Sequence, residues 1–265
     1  HNKRTTAAHP RQFTTHATAL NKHTTWNKPD TRPRTLSLNQ ALKTTLLTLR
    51  QNCTEELLAE LFNISQPTIS RTINTLEQAL EKALSPMVNS LEESLTIPGS
   101  LVIDGTLVPA WNWASQGKIL FSGKHHRAGF NHQVISTLHG KLLAITDPDP
   151  GARHDVYAFR FHQLERFLGE STLADQGYIG LGLLTPVKRK AGVRMRAVLK
   201  ENNRRINRLR SVVERVIAPV LTWRVLYTGF RRPLSSYMRV FSSGASIDFL
   251  CGFGPLMNKH RSRYS

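Results

Sequence analysis

The sequence predicts an α+β protein, with a small all-helical domain ahead of a mixed α/β sheet. Three observations lead there. Apolar residues recur at helical spacing from Leu36 to about Leu84. After Pro98 the pattern changes to short apolar runs of strand length, bounded by turn residues. The stretch HDVYAFRFHQLERFLG then places one amphipathic helix among those strands.

Residues 1–35 are rich in Thr, Lys, Arg, His and Pro and poor in large apolar groups, so they read as a flexible basic arm. A helical domain follows over residues 36–97. LSLNQALKTTLLTLRQN sets Leu38, Leu42, Leu46 and Leu49 at helical steps, with Ser37 or Asn39 able to cap. TEELLAELFN is a short helix opened by Thr54, with Glu55 and Glu56 in its first turn. After a tight turn at Asn63 to Ser65, a third helix is capped by Ser65 and carries Pro67 in its first turn. Ile69, Ile73, Leu76 and Leu80 form its inward face, while Gln66, Thr68, Ser70 and Arg71 face outward early in it. Two helices, a turn and a polar-faced third helix make a helix-turn-helix plan, with the third helix as DNA reader.

The sheet domain is expected over residues 98–255, with a basic tail at 256–265. SLVIDGTLVPAW is the first strand. KILFSGKHHRAGFNHQVISTL and GKLLAITDPDPG are two more, joined at His139-Gly140. Val156, Phe159, Leu164 and Phe167 turn inward from the following helix. STLADQGYIG is a fourth strand. In RLRSVVERVIAPV, residues Leu209, Val213, Val216 and Val220 form one buried helical stripe.

Charge narrows the function. Thirty-six Lys and Arg against 18 Asp and Glu give a net charge of +18, which favours a polyanionic partner, nucleic acid first. Residues 186–265 hold 18 of the cations and only three acids, Glu201, Glu214 and Asp248. Glu201 and Asp248 read as solvated or ion-paired groups. The two cysteines, Cys53 and Cys251, lie far apart, so no zinc ribbon or disulfide framework is expected and a reduced, intracellular setting fits. Cys53 reads as a small buried hydrophobe. No apolar run is long enough for a bilayer span, and the first residues lack a signal-peptide core. The chain starts at His1 rather than Met, so its true N-terminus is expected to lie upstream.

Three carboxylates stand out. Asp104 ends the first strand before Gly105, Asp175 ends the fourth before Gln176-Gly177, and Glu214 lies mid-helix. If the first and fourth strands are neighbours, their aspartates meet at one sheet edge and a packed helix can add Glu214. Such acids repel one another unless cations lie between them. Two Mg²⁺ or Mn²⁺ ions roughly 3.5–4 Å apart suit oxygen-only ligands and phosphoryl transfer. A bland alternative for Glu214 is an ion pair with Arg210, one turn earlier.

The segments IDGT, FSGKHH, GARHD, LADQGY and NRLRSVVERVI, in this order, resemble the DDE transposases of the insertion-sequence-five and PIF/Harbinger group. The helical region resembles the helix-turn-helix that precedes their catalytic domain. The resemblance implies an RNase H-like fold and cut-and-paste DNA transposition. It also implies a triad of Asp104, Asp175 and Glu214, and action as a homo-oligomer on double-stranded DNA, both element ends and target. The R-x-x-x-E signature falls on Arg210 and Glu214. Two positions depart from some relatives, Asn207 in place of Tyr and Thr222 in place of Lys. A bacterial-type, DNA-associated protein of the cytoplasm is the expected setting.

Asp155, in a motif like the family's His-Asp pair, is the rival second acid. Its place at a helix start favours a capping role, whereas Asp175 ends a strand, where a ligand is held stiffly. Asp147 and Asp149 are read as turn formers. Lys124, His125 and Arg210 are candidate phosphate contacts, and Trp111, Trp113 and Trp223 candidate base-stacking groups. The histidines His125, His126, His132 and His154 lack zinc-type spacing. The competing functions are a non-catalytic DNA-binding protein derived from a transposase and an RNA-binding protein. The absence of RNA-binding signatures counts against the second.

Overall fold

The computed structural model describes residues 10–27, 29–84, 91–111 and 117–248. They form two compact units. One joins residues 10–84 to 220–248, and the other holds residues 91–219.

The first unit is helical. Residues Pro10–His23 form α1, where a flexible arm was expected. The correction has a simple cause. Phe13, His16 and Leu20 are spaced at steps of three and four and are all buried, so even a Thr-rich segment makes an inward stripe. Trp26 is buried just beyond, its indole Nε1 donating to the Leu36 carbonyl at 2.8 Å. Next come α2 (Leu38–Gln51), α3 (Glu55–Phe62) and α4 (Gln66–Leu84). Ser37 caps α2 in a full capping box with Gln40, and Thr54 caps α3 by accepting from the Leu57 amide. Asn63 ends α3 in the left-handed region, which makes the tight turn into α4. The expected inward residues Ile69, Ile73, Leu76 and Leu80 are fully buried. Cys53 packs partly buried against the Leu36–Leu58–Ile69 core, and burial raises its thiol.

The second unit starts with a short helix, α5 (Leu91–Leu95), and strand β1 (Leu101–Pro109). Then follow α6 (Gly117–Leu120), β2 (Phe121–Ser122), β3 (Arg127–Thr137), β4 (Leu142–Ile145) and β5 (Asp149–Pro150). Long β3 is the hub and pairs antiparallel with all four other strands. On the far side of β1, Leu173 bridges Val102 in parallel and Leu184 bridges Leu173 in parallel. The fourth strand is therefore reduced to single bridges. Its backbone still docks on β1, the Ile103 amide donating to the Leu173 carbonyl at 2.9 Å and the Leu173 amide to Leu101 at 2.8 Å.

Helix α7 (Asp155–Phe161) covers one face of this sheet. Its Phe159 is buried with Ile103, Ile135, Leu143, Leu164 and Tyr178, while Val156 and Phe167 are half-buried. Helix α8 (Ala197–Val220) buries Val212, Val213, Val216 and Val220. Leu209 is 49% exposed, so the buried stripe begins one turn later than expected.

From Val220 the chain returns to the helical unit with α9 (Arg224–Tyr227) and α10 (Tyr237–Asp248), although 98–255 was expected to be one sheet domain. Trp223 is fully buried there, which removes it as a base-stacking group. Glu77 of α4 is fully buried and paired with Arg232, whose Nη2 also donates to Asn74 Oδ1 at 3.1 Å. Trp113, Cys251 and the tail at 256–265 lie outside the described residues, as does the Asp248 side chain.

Candidate active site

The parallel bridge sets the site. Val102 faces Leu173, so two residues further on Asp104 and Asp175 share a level and a sheet face. Leu101, Ile103 and Gly105 point to the opposite face, where Gly105 pairs with Gln133 of β3. Gly105 lacks a side chain, and another group fills the room. A Cβ there would lie 2.3 Å from Asp155 Oδ1. A Cβ at Gly177 would lie 2.8 Å from Asp175 Oδ1 and 3.2 Å from Asp155 Oδ2. The two glycines therefore open the space in which the carboxylates of Asp155 and Asp175 approach each other.

Asp155 does not cap α7. The N-cap is His154, without a side-chain cap bond, and Asp155 is the first helical residue. Its carboxylate turns into the sheet edge, only 11% exposed. Asn131 Nδ2 donates to Asp155 Oδ1 at 3.3 Å, and Lys124 Nζ lies 3.3 Å from Oδ2. Lys124 Nζ is also 3.7 Å from Asp175 Oδ2, so one ammonium bridges two acids. Burial pulls the Lys124 ammonium down, but the two carboxylates outweigh it and its pKa rises overall. Asp175 Oδ1 accepts from the Gly177 amide at 2.7 Å, which fixes its rotamer.

Asp104 has a different partner. Arg210 of α8 donates from Nη2 to Asp104 Oδ2 at 3.1 Å, and both side chains are largely buried. Burial raises the Asp104 carboxyl to about 6. Arg210 and Lys124 oppose that rise, while Asp175 and Asp155 add to it. Arg210 thus pairs with the strand aspartate, not with Glu214. Glu214 stands one turn further along α8, exposed, outside the Asp104–Arg210 pair. Under the site, the buried Tyr178 hydroxyl donates to Gln133 Oε1. Burial, with the three aspartates adding, pushes this phenol well above its usual range.

The remaining expected residues fall into place separately. His125 lies beside Lys124 in the turn before β3, its pKa lowered by burial and by Lys124. Asp149 is buried in β5 rather than shaping a turn, its Oδ2 2.9 Å from Nε2 of His162 at the end of α7. His132 is buried with Nδ1 donating to the Thr146 carbonyl, and burial lowers it to about 4. Trp111 is exposed. Glu201 is ion-paired with Arg204 and Arg205 on the surface. In the helical unit, Gln66 donates to Glu55 at 2.6 Å and Arg71 is exposed, while Thr68 and Ser70 are half-buried.

Asn131 and the contact made by Asp155 escaped the sequence reading. The signal for both was Gly105, a glycine inside an apolar strand, which marks close approach of another group. A cleft of about 490 Å³ opens at this edge, lined by Lys124, His125, Asn131, Arg153, Asp155 and Asp175. Among the described residues, no three His, Cys, Asp or Glu side chains converge tightly enough to ligate one metal ion. The donor set nonetheless fits a hard divalent cation. The acids Asp155 and Asp175 offer it carboxylate oxygens, with the Lys124 ammonium standing in the place of a cation between them.

Residues 103–252 match the family DDE superfamily endonuclease, and residues 34–86 match the helix-turn-helix of DDE superfamily endonuclease. A protein named as transposase for insertion sequence element IS112, from Streptomyces albus G, is 30% identical over 220 residues, 82% of each chain. The chain belongs to the DDE superfamily of endonucleases. A second relative, named as transposase for insertion sequence element IS702 from Microchaete diplosiphon, is 25% identical over 178 residues, 64% of each chain. No solved structure matches this endonuclease. Among its described residues no helix is long and apolar enough to cross a membrane.

Proposed function

We propose that this endonuclease is a transposase of the insertion-sequence-five and PIF/Harbinger type, which cuts the ends of a mobile element and joins them to target DNA. The observation that carries the reading is the gathering of Asp104, Asp155 and Asp175 at one sheet edge in an otherwise strongly cationic chain. Asp104 and Asp175 are the proposed ligands of a divalent cation, Mg²⁺ or Mn²⁺, with Glu214 of α8 completing the triad. When bound, the cation would activate the attacking oxygen and neutralise the leaving one. Lys124, His125 and Arg210 would hold the scissile phosphate, and Gln66, Thr68, Ser70 and Arg71 of α4 would read duplex DNA. The order β4, β3, β1, then the bridges at Leu173 and Leu184, supports an RNase H-like domain. Assembly as a homo-oligomer on paired element ends belongs to the same proposal. Light scattering that finds a strict monomer on bound ends would refute that part.

One observation favours a second reading. Glu214 is exposed and apart from the Asp104–Arg210 pair, as expected of a protein that binds DNA without cutting it. Comparing the wild type with Glu214→Gln in nicking and binding assays separates the two. Loss of nicking with binding retained supports the triad. Equal binding with no nicking by either protein supports the second reading.

A further inference from the structure

We infer that Glu55 is the positioning residue that makes Gln66 a reader of adenine in the major groove. The inference deepens the proposed reading of duplex DNA by α4 and rests on it. Three features carry it. First, the frame is rigid. Leu58 and Ala59 of α3 share one core with Ile69 and Ile73 of α4, and left-handed Asn63 fixes the turn between the helices. Glu55 and Gln66 each stand one turn before those core residues, half-buried at the edge of the packed face. Second, Gln66 Nε2 donates to Glu55 Oε2 at 2.6 Å, a short charge-assisted bond. An ionised carboxylate accepts and cannot donate, so it selects one of the two orientations of the amide. Third, the next side chains of the helix are held as well. The Thr68 and Ser65 hydroxyls lie 2.9 Å apart, and Arg71 Nε donates to the Pro67 carbonyl at 3.1 Å. Gln66 is the first residue of α4, at the end of a reader helix from which side chains reach base edges. With its nitrogen held by Glu55, the amide has Oε1 and its second N–H left for the groove. An acceptor beside a donor complements the N6 amino group and N7 of adenine. Guanine and thymine would set O6 or O4 against Oε1, and cytosine has no acceptor beside its amino group. A free glutamine could turn its amide to suit any of them. This one would first have to break its bond to the carboxylate.

The test is selection of duplexes from a randomised pool by the full chain, then fluorescence anisotropy on single-base changes of the selected duplex, with circular dichroism as the control for folding. Wild type is expected to prefer adenine about tenfold over the other bases at one position, and Gln66→Ala to lose that preference there alone. Replacing that adenine by unsubstituted purine, which lacks the amino group, or by 7-deazaadenine, which lacks N7, is expected to weaken binding several-fold. Glu55→Ala is expected to bring the preference to within about twofold while the other positions keep theirs. Glu55→Lys puts a donor where the acceptor was, turns the amide round and is expected to move the preference to guanine, whose O6 and N7 both accept. A contact that merely clips α3 to α4 would not change the base preferred. If Gln66→Ala loses the adenine preference but both Glu55 variants keep it, Glu55 does not position Gln66 and the inference is wrong. If Gln66→Ala selects the same sequence as wild type, or the base it ceases to prefer is not adenine, the inference falls and the helix-turn-helix reading survives. If wild type selects no sequence at all, both fall. Should Glu55→Ala fail to fold, Glu55→Lys and the two base analogues decide.

Discussion

The two units treat buried charge in opposite ways. In the helical unit, Glu77 is sealed from solvent and answered by Arg232, with Asn74 taking a further guanidinium hydrogen. In the sheet unit, three aspartates crowd one edge, and their cations are a half-exposed Lys124 and an Arg210 whose buried Nε has no partner. The first arrangement is a closed structural contact. The second holds like charges together at one sheet edge, where burial first, and the neighbouring aspartates after it, raise Asp104 to about 6. Perturbed charge gathered beside a cleft makes this edge the candidate site.

The largest effect is expected in the closed pair. Arg232→Met leaves Glu77 buried without its cation and should lower stability by about 3–5 kcal/mol in urea unfolding. Glu77→Met combined with Arg232→Met should recover most of that loss. A loss below about 1 kcal/mol for the single variant would place this pair with ordinary surface contacts and erase the contrast between the units.

Next comes acid sensitivity, which the two units share. His16 in the helical unit and His132 in the sheet unit are each held at about 4 by burial. Their folded pKa values lie below the unfolded value near 6.5. Each therefore contributes stability that is present above about 6.5 and is lost as pH falls toward 4, roughly 3 kcal/mol apiece. His132→Gln should flatten that limb in pH-dependent melting. An unaltered acid limb in both His132→Gln and His16→Gln would contradict their neutral burial.

Asp104 runs the other way. Its folded pKa of about 6 exceeds the unfolded value of 3.8. Its contribution is full below about 4 and is lost as pH rises through 6, on the order of 2 kcal/mol for a side chain partly open to water. In EDTA, the stability of wild type relative to Asp104→Asn should fall across that window. A flat difference would mean that burial beside the other aspartates does not raise Asp104.

The smallest effect lies on the helical surface. Arg71→Ala should weaken duplex binding by about 1 kcal/mol and lower the salt slope by about one. Binding unchanged at every salt concentration would remove Arg71 from the DNA contact.

Local physics was legible in the sequence. The Ser37 and Thr54 caps, the Asn63 turn and the inward face of α4 all depend on neighbours within a turn or a pleat, whereas Asp104, expected to end its strand, lies inside β1, which pairs with β3 as far as Pro109. What was missed depends on distant contacts. The Thr-rich composition of residues 10–23 hid the spacing of Phe13, His16 and Leu20, whose burial needs other helices. The stretch 220–248 follows a sheet-unit helix, yet it packs with α4 through Arg232, about 150 residues away in sequence. Asp155 reads as a cap only while Gly105, 50 positions earlier, is left out of view. Leu209 fits the helical period but lies beyond the packed part of α8.

The most direct test is Mn²⁺-dependent nicking of duplex DNA carrying the element's own ends, comparing wild type with Asp175→Asn while binding is followed in parallel. A carboxylate-dependent nuclease gives nicked product with wild type only, at equal binding. Equal nicking by both proteins would contradict an active site at the sheet edge shared by Asp104 and Asp175.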